Sequence, residues 1–152
     1  MNEILITIIL IFFLNVSLKA QTENKNYDET LAKSLNADDY GMKKYVLVML
    51  KPGTNTDTTK SVVDSIFTGH MKNINRLAES GDLVVAGPIM KSKEYRGIFV
   101  FNVETIEEAK ALIETDPAVS AKFLEPEMFL WYGTAALMET TKIHRKIEKY
   151  SF

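Results

Sequence analysis

Apolar residues follow two different spacings along this chain, and each switch of spacing marks a new element. Tyr45-Val46-Leu47-Val48-Met49-Leu50 is a continuous apolar run of strand length, the pattern of a central strand buried on both faces. Lys51-Pro52-Gly53 and the polar residues up to Asp57 interrupt it. The spacing then becomes helical from Thr59 to Ser80, where Val62, Val63, Ile66, Phe67, His70 or Met71, Ile74 and Leu77 form one stripe. Such a stripe predicts a helix lying on a sheet, and Gly81 stands where a helix ends. Leu83 to Ala86 reads as a second strand stopped by Gly87-Pro88, and Gly97 to Val103 as a third. Thr105-Ile106-Glu107-Glu108 is a capping box that opens a second helix, with Ile106, Ala109, Leu112 and Ile113 on its buried side. Asp116 precedes Pro117 and is pushed out of helical geometry, so that helix ends near Thr115. Ala118 to Phe123 predicts a single helical turn, and Met128 to Thr134 a fourth, aromatic strand.

The order β-α-β-β-α-β predicts an α+β fold of the ferredoxin-like type: a four-stranded antiparallel sheet with two helices on one face. The strands are apolar on both sides, so the face without helices also needs a cover. A second subunit packed sheet to sheet would supply it, which predicts a homodimer. The core domain spans 44–134. Residues 21–43 form a polar N-terminal extension in which Leu31, Ala32 and Leu35 allow a short helix. Residues 135–152 read as a helical arm, with Ile143, Ile147 and Tyr150 on one side among Lys142, Arg145, Lys146 and Lys149.

Composition changes this picture in three ways. The apolar run Ile4 to Leu14, ending near Ala20 before the polar Gln21-Thr22-Glu23, has the length and boundary of a secretory signal peptide. Residues 1–20 are therefore expected to be removed, leaving a periplasmic or secreted protein with no stable membrane span; the alternative is an uncleaved N-terminal anchor. The formal net charge of −2 argues against nucleic acid as a partner. The chain has no cysteine and two histidines, so disulfides, thiol catalysis and cysteine-held metals are out of reach, and neither a metal nor a cofactor is implied.

His70 is the most informative position. It sits on the apolar stripe, four residues from both Ile66 and Ile74, beside a mid-helix glycine, Gly69. Glycine there costs about 1 kcal/mol relative to alanine, a cost a helix accepts where another group must approach closely. His70 is either a core histidine with one satisfied hydrogen bond or an acid–base group facing a pocket. Asp116 is either a helix stop or the carboxylate that orients the imidazole. Gly87 and Pro88 end a strand and are also candidates for a pocket wall. Arg96 is either a solvated loop charge or a group that holds an anionic substrate, and Trp131 and Tyr132 are candidates for pocket lining, core or dimer interface. His144 in the arm reads as a solvent-exposed residue.

Gly69-His70-Met71, Arg76 to Leu83, Ala86-Gly87-Pro88 and Asp116-Pro117-Ala118 after Thr105 to Ala109 together resemble the YCII-related (YciI-like) family. Tyr40 to Lys44 and Trp131-Tyr132-Gly133 resemble a subgroup of it with extended ends. The resemblance covers about 44–134 and implies a dimeric α+β barrel with a His–Asp dyad, here His70 and Asp116. One branch of that family is associated with elimination of chloride from chlorinated hydroxyquinols. The expected function is a small-molecule enzyme performing cofactor-free acid–base chemistry of the lyase or isomerase kind. The alternative is a non-catalytic dimeric module that binds a small ligand in the same pocket.

Overall fold

The computed structural model describes residues 24–150, so the leader read from residues 1–20 lies outside the described residues. A short helix, α1 (Glu29–Ser34), precedes the domain. Asp28 caps it, its side chain accepting the Leu31 N–H at 2.9 Å. The domain then runs β1 (Met42–Pro52), α2 (Lys60–Ser80), β2 (Leu83–Pro88), β3 (Gly97–Phe101), α3 (Ile106–Ile113), a one-turn helix α4 (Pro117–Ser120) and β4 (Leu124–Thr134). A 3-10 segment, Ala135–Glu139, leads into the last helix, α5 (Thr140–Ile147). Among the described residues no helix is long and apolar enough to cross a membrane.

The sheet has four strands in the order β2-β3-β1-β4, and every neighbouring pair is antiparallel. This is the ferredoxin-like arrangement expected from the element order. The local signals that set it are present in the structure. Gly81 ends α2 in the left-handed region at φ 81°. Thr105 accepts the Glu108 N–H at 3.2 Å, while Glu108 accepts the Thr105 N–H at 3.1 Å, completing the capping box.

All four strands differ from their expected bounds: β1 runs from Met42 to Pro52 rather than Tyr45 to Leu50, and β2 takes in Gly87 and Pro88 rather than stopping before them. β4 begins at Leu124 rather than Met128, and it pairs with β1 from Pro52↔Leu124 to Met42↔Thr134. Glu125, Pro126 and Glu127 hide this start, because they break the apolar pattern. β4 is an edge strand, where proline and charge are tolerated. β3 ends at Phe101 rather than Val103.

The main core lies between the sheet and the helices. Val46, Val48 and Leu50 of β1 and Phe99 and Phe101 of β3 pack there with Leu77, Ala109 and Ile113. The opposite face carries a smaller cluster, Tyr45, Val84 and Val100, packed by Leu137 and Met138. The chain thus covers part of its second face with its own C-terminal segment, a cover that the apolar pattern alone led us to expect from a second subunit. The tail's apolar residues at 137 and 138 are too few to show as a periodic stripe. Toward β4 the same face stays open, with Phe129 46% and Trp131 37% exposed. The Trp131 indole lies over Gly133, where a Cβ would come within 2.7 Å of the ring.

Candidate active site

α2 brings His70 to the helix-covered side of the sheet, and the turn after α3 brings Asp116. The His70 Nδ1 lies 2.7 Å from Asp116 Oδ2. Asp116 is fully buried, and the His70 side chain is 12% exposed. Asp116 also serves as the N-cap of α4, its Oδ1 accepting the Ala118 N–H at 2.8 Å. The helix stop and the imidazole partner are therefore the same carboxylate, with one oxygen for each task. A carboxylate only accepts, so Nδ1 carries the proton and Nε2 is left as the basic nitrogen of the neutral ring.

Three features hold this geometry. Gly69 lets α2 pass close to the Asp116 turn: a Cβ there would meet Pro117 Cγ at 3.0 Å. The His70 ring stacks on Phe99, with centroids 5.9 Å apart and planes at 21°, and meets Phe67 edge-on at 5.7 Å. Three residues away on α2, Asn73 Oδ1 accepts from Arg76 at 2.7 Å, and Arg76 also donates to Thr115 Oγ1 at 2.9 Å. That network ties α2 to the residue immediately before Asp116.

His70 opens onto a cavity of about 850 Å3. α2 forms one wall with Phe67, His70, Met71 and Ile74, and the strands form the floor with Ala86, Gly87, Pro88, Gly97 and Phe99. Arg96 stands at its edge and forms no ion pair among the described residues. Nδ1 is turned to a fully buried carboxylate, so the side of the ring that reaches the cavity is the one bearing Nε2. No described residue hydrogen-bonds that nitrogen. A site of this kind, an apolar pocket with a few converging polar groups, suits a small molecule.

The structure gathers His70, Asp116, Gly87, Pro88 and Arg96 at this cavity or directly behind it. Trp131 and Tyr132 lie elsewhere. Trp131 faces the second side of the sheet, beside Tyr45 at 5.7 Å between ring centroids. Tyr132 is exposed and donates its hydroxyl to Asp38 in the N-terminal extension. That bond holds the Asp38 carboxyl below, and the Tyr132 phenol above, its ordinary pKa. An aromatic strand thus splits between two surfaces by its alternation, and neither residue lines the cavity.

A third wall was not legible in the sequence. Thr140, Thr141 and His144 of α5 line the same cavity. The tail packs under the second face through Leu137 and Met138, rounds the β2 edge, and pins itself there by a hydrogen bond from Thr140 Oγ1 to the Val84 carbonyl. Arg145, 3.9 Å from Glu79 at the end of α2, adds an exposed tie. The spacing of Thr140 and His144, one helical turn apart, was the available signal, but it gains meaning only once the tail is known to wrap this edge.

No protein-family model matches the chain, and no curated protein matches it. Among solved structures it is similar to 5-chloro-2-hydroxyhydroquinone dehydrochlorinase from Burkholderia phenoliruptrix, solved in complex with 2,5-dihydroxybenzoquinone. The two are 18% identical with a TM-score of 0.44, over 57% of this chain and 92% of that one. The fold assignment rests on the strand order and register of the chain itself.

Proposed function

We propose that the cavity is the active site of a small-molecule enzyme that works by cofactor-free acid–base chemistry of the lyase or isomerase kind. The observation that carries this reading is the 2.7 Å contact between His70 Nδ1 and the buried Asp116 carboxylate, at the wall of an apolar cavity. His70 Nε2 removes a proton from an activated C–H or O–H of the substrate. Asp116 stabilises the imidazolium that forms without taking its proton. The same Nε2–H then returns the proton to a neighbouring atom or to a departing group. Proton transfer of this kind contributes about 10²–10⁴-fold, which suits a substrate already activated by a carbonyl or an enol. Arg96 supplies a positive charge for an anionic substrate group. The cleaved chain would act in the periplasm or outside the cell. The open part of the second sheet face, around Phe129 and Trp131, is where a homodimer would form.

The test is a thermal-shift screen of small cyclic and carbonyl metabolites followed by turnover assays on the hits. Wild type is compared with His70→Gln, which keeps an amide donor for Asp116 but no basic nitrogen. The expected result is turnover by wild type, reduced at least about a hundredfold in the variant. Equal turnover by the two sinks the enzyme reading. Hits that bind both proteins and are never consumed establish the binding module instead.

A further inference from the structure

His144 is carried by a segment that the core does not need for its strand order, yet it lines the same cavity as His70. The chain has two histidines in all, and the fold brings both to one pocket, one from α2 and one from the tail. Each has a carboxylate beside it. Asp116 holds His70 at 2.7 Å, and Glu148, the residue that caps the end of α5, lies 3.6 Å from His144 Nε2. His144 is much the more open of the two, with 56% of its side chain exposed. The same cavity is lined by the apolar Met71, Ile74 and Phe99 and by Arg96, which forms no ion pair among the described residues.

We infer that α5 forms a working wall of the site: a small organic anion with an apolar body binds between His70 and His144, its charge held by Arg96. The reasons are chemical. A cation with no carboxylate partner beside an apolar cavity favours a ligand that brings its own negative charge and apolar surface. Two imidazoles lining one cavity can each donate or accept a hydrogen bond to such a ligand's polar atoms. His144 then supplies the second proton-handling group that a one-histidine site lacks. This inference rests on the reading of the cavity as a small-molecule site.

The experiment uses the full chain and the imidazole C–H signals in its proton NMR spectrum, which two histidines make simple to assign with His144→Gln. The probes are cyclohexanecarboxylate and cyclohexanecarboxamide. They share a shape and differ in charge, and a saturated ring has no ring current to move signals at a distance. The carboxylate is expected to shift both imidazoles at one common saturation point. The amide, and the carboxylate added to Arg96→Gln, should bind at least about tenfold more weakly, the loss of one charge-assisted hydrogen bond. His144→Gln should weaken carboxylate binding severalfold while the His70 signals still respond. If the carboxylate moves the His70 signals alone, the role of α5 is overturned while the cavity reading stands. If it moves neither, or binds no better than the amide, the anion site is overturned. Turnover of other metabolites in the screen above would then still uphold the proposed enzyme.

Discussion

The two faces of the sheet are covered in different ways. One face is covered by α2 and α3, elements that the β-α-β-β-α-β order requires, and its core of Val46, Val48, Leu50, Phe99 and Phe101 is nearly or wholly buried. The other is covered by a tail that arrives after the last strand and reaches only Tyr45, Val84, Val100 and their neighbours. The first face buries a carboxylate and aims a histidine with it. The second leaves Phe129 and Trp131 open. The difference separates what the fold needs from what has been added to it: the His70–Asp116 pair is built into the helix face, while the tail contributes by passing from one face to the other and closing the cavity's side.

Asp116 gives the sharpest way to break that comparison. Asp116→Asn keeps an oxygen for the Ala118 N–H, since asparagine caps helices about as well as aspartate. It removes the charge that favours a proton on Nδ1 and on the imidazolium. The expected outcome is a fall in turnover of about 10²–10⁴-fold with a small change in stability, measured by steady-state kinetics beside a urea titration. A stability loss as large as the activity loss would show that Asp116 acts as a structural carboxylate alone.

Truncating each face's cover compares their energetics directly. Leu77→Ala empties a fully buried position of α2 and is expected to cost about 2–5 kcal/mol. Leu137→Ala removes a half-buried side chain of the tail and should cost roughly 1–2 kcal/mol, since less surface is returned to water. Urea unfolding at neutral pH checks both. Equal costs would mean that the tail is as integral to folding as α2.

The legible and illegible parts of this molecule follow the same division. The apolar run at Tyr45, the stripe on α2, Gly81 and the Thr105 capping box are local patterns, and each produced its element nearly in register. Gly69 was legible as a close approach, and the neighbour that approaches is Pro117. His70 and Asp116 could be singled out as residues, although the 2.7 Å between them is set by two helices packing on one sheet, which no local spacing encodes. The start of β4 was hidden because an edge strand tolerates Glu125 and Pro126. His144 was hidden because its position depends on a tail that docks through two apolar residues and one threonine hydroxyl. Trp131 and Tyr132 show the limit of reading aromatics as pocket lining, since strand alternation sends neighbours to opposite faces.

The smallest expected effect lies on the second face and depends on pH. Tyr45 is fully buried there, and it donates its hydroxyl to the Thr134 carbonyl at 3.0 Å, at the point where β4 passes into the tail. Burial disfavours the phenolate and pushes its pKa from 10.0 up to about 12. The unfolded chain therefore releases this proton at a lower pH than the folded one. The contribution to stability is complete below pH 10 and is lost as pH rises toward about 12, reaching a loss of about 1 kcal/mol near pH 11. Tyr45→Phe removes the titration and leaves the ring. Its urea midpoint should start lower than wild type at neutral pH, because the Thr134 carbonyl loses a donor, by about 1 kcal/mol. Between pH 10 and 11 that gap should narrow toward zero, read from paired urea titrations at each pH. A gap that stays constant through this window would mean that the tail leaves Tyr45 open to water, and that the second face is uncovered in solution.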